Sequence, residues 1–551
     1  MVTEILITIK PEDEKNLQLH KKIIISELKK TVFQNLTPKE LLPNNISIQF
    51  LKKSIDARHG KIKLHLKYKV FIGEDPKENI SKLPQWKTAN GKKSVIIVGS
   101  GPAGLFGALK LLESGITPVI LERGAETSQR KIDIAQISTK NIVNENSNYC
   151  FGEGGAGTFS DGKLYTRSNK RGDISEILQI FVFFGADKKI LTDAHPHIGT
   201  NKLPKIINNM REKIISLGGK FYFNTKVTDF ILTENHTKNE KETEKKFKIT
   251  GVKTQNILTN KEDFFTADAV LLATGHSATD IYNLLAKIAP TSLEAKTFAA
   301  GVRVEHPRKI IDDIQYHSNT NLQLGAAEYR LTTQVRERGV YSFCMCPGGF
   351  VVPSSSSSNE IVVNGMSAAE RNSKWSNAAV VTEIRPQDIP QEFVQAAQKS
   401  GCPQIAGLLF RTHIEQLAKQ NGNRQAAPAQ RLKDFLENKL SENLPQSSYT
   451  PGLKSSNLCE WLPEHILTRL QQGFKNFNQN MKGFICEQAL LIAAETRTST
   501  PVRILRNKET FESSTIKMLF PCGEGSGYSG GIVSSAMDGI NACAQIEKIL
   551  T

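Results

Sequence analysis

Gly99, Gly101 and Gly104 are spaced as in a loop that brings backbone up against a diphosphate, and Glu122 follows eighteen residues after Gly104. In such a pattern the first glycine allows a tight turn, the second admits the pyrophosphate and the third lets a helix pack closely on a strand. The acid at the end of the next strand accepts hydrogen bonds from ribose hydroxyls, and its charge disfavours the 2′-phosphate of NADP at this position. The chemistry implied is dinucleotide binding, with Ser100, Pro102, Ala103 and Arg123 inside the same contact set.

Residues able to move or polarise a proton are scattered. His197, Lys163, Arg167 and Tyr528 are the catalytic candidates, with His195, His276 and Arg497 beside them. Each is a lone polar residue of a kind that more often makes a structural hydrogen bond than a catalytic one. His195 and His197 project to one face of an extended segment, but no third ligand at metal spacing accompanies them, so no metal is expected. Cys344 and Cys346, in FCMCPGG, suggest a thiol pair relaying electrons. Their spacing is not that of a CxxC redox motif, and sulfur in an apolar segment is ordinarily packing, which is the expectation here.

The elements that must position these residues follow from apolar runs and glycines. SVIIVGSGPAGLFGALKLLESGITPVILERG, starting at Ser94, reads as strand, glycine turn, helix and second strand, and the helix aims its amide-rich start at the phosphates. At 516–540 a strand leads to Gly523 and Glu524, then to a glycine-rich turn with Gly530 and Gly531 that opens a helix at Ile532. At 268–278 an apolar strand ends in Ala273, Thr274 and Gly275, and 221–230 reads as a strand carrying Val227. A further glycine-rich loop at 149–167 holds Gly154, Gly155, Gly157 and Ser160. No second complete glycine motif with a following acid occurs, so a dedicated nicotinamide domain is not expected, although transient NAD(P)H binding is compatible with the sequence.

The 516–540 segment resembles the second FAD motif of the glutathione-reductase-like flavoprotein superfamily, in which an acid caps a strand and binds the ribityl chain. Glu524 stands where that superfamily more often has Asp. The 268–278 segment resembles the superfamily's ATG segment near the adenosine half, and 221–230 the strand whose residue near Val227 contacts adenine. With the loop at 149–167, the chain is similar over essentially its whole length to a bacterial family described as uncharacterised FAD-dependent dehydrogenases with a ferredoxin-like N-terminal domain. The resemblance implies FAD as cofactor, with Gly154, Gly155, Gly157 and Ser160 beside the isoalloxazine and pyrophosphate. It also implies that the positive end of the helix at Ile532 faces the flavin pyrimidine, where it would stabilise the negative charge that develops near N1 and O2 on reduction.

The expected fold is α/β: a Rossmann-like FAD-binding domain with an inserted α+β substrate domain and an N-terminal α+β, ferredoxin-like domain. Expected boundaries are 1–88 for the N-terminal domain, 89–295 and 491–551 for the two parts of the FAD-binding domain, and 296–490 for the insertion. A chain of 551 residues suits about three or four cores. It has no run approaching the ~20 apolar residues of a spanning helix and no leader pattern at its start, so a cytoplasmic location is expected. Its eight scattered cysteines suit reduced thiols.

The net charge of +16 could draw nucleic acid, anionic membrane or an acidic partner, but dispersed lysines are usually solvated, and nucleic-acid binding is not expected. At 61–70, KIKLHLKYKV alternates strictly: Ile62, Leu64, Leu66, Tyr68 and Val70 should face a core, and Lys61, Lys63, Lys67 and Lys69 should face out. That basic face is a candidate docking surface for a protein partner, and its ordinary reading is a solvated sheet surface. The charged stretch 234–246 and the serine tract 354–358 read as exposed loops. The function expected is an FAD-dependent oxidoreductase, a dehydrogenase or reductase moving a hydride or electrons between FAD and a small-molecule substrate. An RNA-directed flavoprotein and a flavin-bearing scaffold are the alternatives.

Overall fold

The computed structural model describes residues 1–31, 42–57, 61–74, 83–166, 172–234, 247–317 and 324–551. Arg167 and nearly all of the charged insertion after Glu234 lie outside the described residues.

Short apolar runs without polar alternation belong in strands covered on both faces. Ser94–Val98, Ala269–Leu272 and Leu519–Pro521 are such runs. They join Thr117–Leu121 and Lys220–Tyr222 in one parallel sheet ordered 519–521, 269–272, 94–98, 117–121, 220–222. The three glycine or ATG turns therefore leave the same edge of the sheet from three adjacent strands. Helix Pro102–Glu113, with nine of its twelve residues buried, packs on this sheet and on the C-terminal helix Ile532–Leu550. Small residues permit that approach. A β-carbon on Gly104 would sit 2.1 Å from the Gly99 carbonyl oxygen, and one on Gly539 would sit 2.1 Å from that of Ala103.

A second sheet is made by Thr225–Glu234, Phe247–Asn256, Glu262–Thr266 and the two-residue strand Ile516–Lys517. A third, of seven strands, is centred on Phe298–Pro307 between Trp375–Ile384 and Leu490–Glu495. Arg338–Cys346 borders Trp375–Ile384 and carries an irregularity between Phe343 and Cys346. One continuous apolar core runs from the parallel sheet through the seven-stranded sheet.

The N-terminal residues have a core of their own. Val2–Ile9, helix Leu17–Thr31, Ile46–Asp56 and Lys63–Ile72 form an antiparallel three-stranded sheet with the last strand in the middle. This β-α-β-β order, with the third strand between the first two, is the split arrangement of ferredoxin-like folds. Ile62, Leu64, Leu66, Tyr68 and Val70 are buried, and Lys61 and Lys63 are exposed, as the alternation requires. The module touches the rest of the chain where Lys53 pairs with Asp193, where His317 Nε2 meets the Ala57 carbonyl at 2.7 Å, and where Leu324 packs on its core.

The serine tract is not an exposed loop. Ser354 and Ser355 are buried, Ser355 Oγ donates to Gln425 at 3.1 Å, and the Ser356 hydroxyl and N–H donate to Glu360. Hydroxyls tolerate burial when each finds a partner, and here a carboxylate and an amide supply them.

Candidate functional site

The three turns converge on one cleft of about 380 Å³. Its floor is Gly99, Gly101, Pro102 and Ala103 from the first turn, Ala273, Thr274 and Gly275 from the second, and Gly523, Glu524, Gly530, Gly531 and Ile532 from the third. Glu122, Arg123 and Val227 line one end, and Gly155, Gly157 and Ser160 also line the cleft, Gly155 against Gly101 and Gly157 against Ile532. Ser100, Gly104 and Gly154 stand behind this surface: Gly104 closes the helix-to-strand contact, and Gly154 takes φ +78° with its N–H on the Ser100 carbonyl at 3.0 Å.

Glu122 ties the loops together. Its Oε2 accepts from Ser100 N–H at 3.0 Å and Ser100 Oγ–H at 2.8 Å, and its Oε1 from the N–H groups of Gly124 and Gly152, both at 3.0 Å. Four donors fill the lone-pair sites of a carboxylate. A ribose diol would displace the Ser100 hydroxyl, the one donor of the four that can rotate away. Arg123 stacks over the Phe151 ring at 4.3 Å and is ion-paired with Asp280.

At the far end of the floor, Asp538 fixes the third turn by accepting from Gly523 N–H at 2.8 Å and from Arg506 at 2.6 Å. Glu524 Oε2 then lies 3.0 Å from His276 Nδ1, so His276 serves to hold the acid in place. The helices starting at Pro102 and Ile532 both open on the cleft, and neither has an acidic residue in its first turn.

These residues fit a dinucleotide. Two helix starts suit a pyrophosphate and an electron-rich ring. β-carbons on Gly275 and Gly530 would meet nothing within 4 Å, which is the open space a cofactor would fill. The Asp161 Oδ1 atom is buried in the cleft wall without a protein partner. When bound, the flavin would supply the hydride or electron chemistry, leaving the chain to bind, orient and move protons.

The wall opposite is built from strands Arg338–Cys346 and Leu490–Glu495 of the seven-stranded sheet, from strand Val363–Met366 and from the residues just after Glu495. Phe343, Cys344, Asn364, Glu495, Arg497 and Thr498 line it, with Asp161, Lys163 and Tyr165 from the glycine loop. Arg497 is committed to structure: it pairs with Glu360 at 2.6 Å and Glu415 at 2.9 Å and donates to Ser356 at 2.9 Å. Burial would raise the Glu415 carboxyl, but the guanidinium groups of Arg497 and Arg411 hold it down at about 2. Glu495 pairs with fully buried Arg303 at 2.8 Å, but there burial outweighs the guanidinium and pushes the carboxyl up; Arg303 also donates to Asn377 at 2.6 Å and Asn364 at 3.2 Å.

Lys163 reaches the cleft beside Cys344 and Cys346. The packing expectation for those two cysteines therefore needs correction, because an irregular strand turns them onto a charged neighbour. His197 and Tyr528 do not line the cleft. His197 Nε2 bonds the Ala369 carbonyl at 3.1 Å, and burial and the nearby Arg371 charge lower its pKa. Tyr528 is stacked with Arg503 and Arg506, with ring-to-guanidinium distances of 5.3 and 4.1 Å. His195 pairs with Glu328 at 3.1 Å on the surface. Phe151, Asp161, Phe343, Asn364 and Glu495 are cleft residues that sequence reasoning missed, although Phe151 and Asp161 stand inside the glycine-rich loop at 149–167 and Phe343 inside FCMCPGG; Asn364 and Glu495 belong to no motif.

An uncharacterised protein of Clostridium beijerinckii is 38% identical over 520 residues, covering 91% of this chain and 92% of that one. Family models match at 297–498 for the C-terminal domain of FAD-dependent proteins, at 92–139 for an FAD binding domain, and at 1–71 for a domain of unknown function. The chain belongs to this family of FAD-dependent proteins. Among solved structures, the flavin-dependent halogenase CmlS is 11% identical, with 84% of this chain and 59% of that chain covered and a TM-score of 0.33. A geranylgeranyl bacteriochlorophyll reductase-like protein of Thermoplasma acidophilum is 10% identical, with 83% and 79% covered and a TM-score of 0.33. The seven-stranded sheet that walls the cleft of this FAD-dependent protein lies inside the 297–498 match, and the first glycine turn inside the 92–139 match.

Proposed function

We propose that the chain is a cytoplasmic FAD-dependent oxidoreductase that moves a hydride or electrons between bound FAD and a small-molecule substrate, as a dehydrogenase or reductase. The observation that carries this reading is the continuity of the cleft. It runs from the Glu122 end, suited to an adenosine, past two helix starts to a wall of Phe343 and Cys344 from the seven-stranded sheet, Asn364 from the strand Val363–Met366 and Lys163 from the glycine loop. A dinucleotide laid along the glycine floor would put its reactive ring against that wall, where a substrate has both an aromatic side chain and polar groups to meet.

The test is the visible spectrum of the purified protein, followed by anaerobic titration with NADH and NADPH. A flavin spectrum that bleaches with one nucleotide makes the protein a nicotinamide-linked reductase. A flavin inert to both points to reduction by the substrate itself. Absence of flavin even after reconstitution with FAD would overturn the reading.

A further inference from the structure

Cys344 and Cys346 lie beside one cation; Cys150 also lines the cleft, with its Sγ 3.4 Å from Arg497. The pairing of Arg338–Cys346 with Trp375–Ile384 slips between Phe343 and Cys346. Cys344 sits in that slip at φ +44°, a left-handed conformation that a β-carbon disfavours and that clusters at functional sites. The slip presents both sulfurs to one ammonium: Lys163 Nζ lies 3.8 Å from each Sγ and also donates to the intervening Met345 carbonyl.

The two thiols differ in access. Cys344 lines the cleft, whereas Cys346 is fully buried behind it, its thiol donating to the Cys344 carbonyl at 3.3 Å. The charged groups facing the pair are Lys163, Arg303, Asp161, Glu495 and Arg371. Asp161 is shared between Arg371 at 2.7 Å and Lys163 at 3.4 Å, and Glu495 is held by Arg303. The Lys163 ammonium thus has room for one more anion. Burial pushes the thiols of Cys402, Cys459, Cys486, Cys522 and Cys543 up. Cys344 goes down, because the Cys346 thiol and the Lys163 and Arg303 charges lie beside it. An accessible thiolate backed by a buried thiol is the division of labour between an attacking and a resolving cysteine.

We propose that Cys344 and Cys346 are a redox-active pair that cycles between thiolate plus thiol and a disulfide within the cleft, exchanging an electron pair with the flavin. In the oxidising direction the S–S bond forms as the Cys346 S–H bond breaks, and the electron pair and that one proton pass to oxidised flavin. Thiolate, thiol and oxidised flavin enter; disulfide and the singly protonated, two-electron-reduced flavin leave, so charge and hydrogen balance. Lys163 is a positioning residue that stabilises the thiolate. Only the electron acceptor rests on the FAD reading given above.

The test uses full-length protein reconstituted with FAD. One portion is reduced with dithiothreitol and desalted anaerobically, another is oxidised in the native state with diamide, and both are denatured in N-ethylmaleimide and digested. The peptide holding both cysteines should carry two maleimides when reduced, and none when oxidised, being then lighter by two hydrogens. Two maleimides after oxidation, or a disulfide from either residue to Cys150, would overturn the pair.

A second readout is the rate of iodoacetamide alkylation of Cys344 against pH in the Cys346→Ser protein. Its midpoint should fall well below the ordinary thiol value of about 8.5. Adding Lys163→Met should raise the midpoint and slow the reaction about tenfold at neutral pH, and an unmoved profile would overturn the role of Lys163. If that variant does not fold, the midpoint of Cys346→Ser alone decides whether Cys344 is a thiolate. Anaerobically, reduced wild-type protein should bleach its own visible flavin band, and Cys344→Ser should not. Disulfide formation in a protein that binds no flavin upholds the pair and overturns the FAD reading, whereas bound flavin without the disulfide overturns the pair alone.

Discussion

His306 shows how one buried ring can set a stability window. Its Nε2 donates to the Phe484 carbonyl at 2.8 Å, while its Nδ1 is buried with no partner. A second proton would place an unpaired N–H and a charge in an apolar site, and burial lowers the pKa to about 4. A base depressed in the folded state stays neutral there while the unfolded chain takes up its proton. Stability from this residue is therefore complete above the unfolded value near 6.5 and is lost as pH falls from there toward about 4. The wild type minus His306→Gln difference in unfolding free energy, from urea titrations, should shrink by about 3 kcal/mol across that interval. A pH-independent difference would assign the effect to other groups. Arg497 makes the complementary case. Arg497→Met leaves Glu360 and Glu415 buried with their main counter-charge gone and should cost about 3–5 kcal/mol by the same titration.

At the scale of elements, the glycine turns separate binding from folding. Gly275 has open space where its β-carbon would lie, and Gly104 has a carbonyl oxygen 2.1 Å away. Gly275→Ala should leave the midpoint of the flavin-free protein unchanged and weaken FAD binding about tenfold, which is about 1.4 kcal/mol. Gly104→Ala should lower stability by about 1–3 kcal/mol or more through overpacking, with flavin lost as a result. Thermal melts with and without added FAD distinguish the two. The turns were legible in the sequence because each combines an apolar strand, a glycine whose absent side chain does a job, and a helix start. The opposite wall was not. Phe343 and Glu495 reach the cleft through the register of a distant sheet and Asn364 through the strand Val363–Met366, which no local pattern announces, and Asp161 sits in the glycine loop at a position that no glycine signal picks out. The serine tract misled because composition indicates polarity and cannot show whether Glu360, Gln425 and Arg497 are waiting to satisfy it.

For the whole molecule, the N-terminal module stands on its own core and, among the described residues, touches the remainder at Asp193, His317 and Leu324, whereas the segment after it is docked. Trp86 packs on Phe183 and Phe184, with ring centroids 5.5 and 5.7 Å apart, and the N–H groups of Lys87, Ala89 and Asn90 donate to the carbonyls of Leu112, Leu217 and Gly115. Removing residues 1–74 should leave flavin content and the main urea transition unchanged, while removing 1–90 should lower that transition by about 3 kcal/mol, the cost of a truncated aromatic and several lost backbone bonds. Alternation at 61–70 made the module's sheet legible, but its touching points at Asp193, His317 and Leu324 depend on tertiary placement. Among the described residues no helix is long and apolar enough to cross a membrane.

The parallel sheet is completed from both ends of a long stretch of chain: Ser94–Val98 and Ala269–Leu272 lie side by side, and Leu519–Pro521 joins them only after the whole seven-stranded sheet has been made. A polypeptide cut short between Leu272 and Leu519 has the first glycine turn but lacks Glu524, the final helix and the third turn's part of the cofactor's floor. Yellow colour in a preparation would then count finished chains, so the ratio of flavin to protein becomes an assay of translational completeness as well as of cofactor supply.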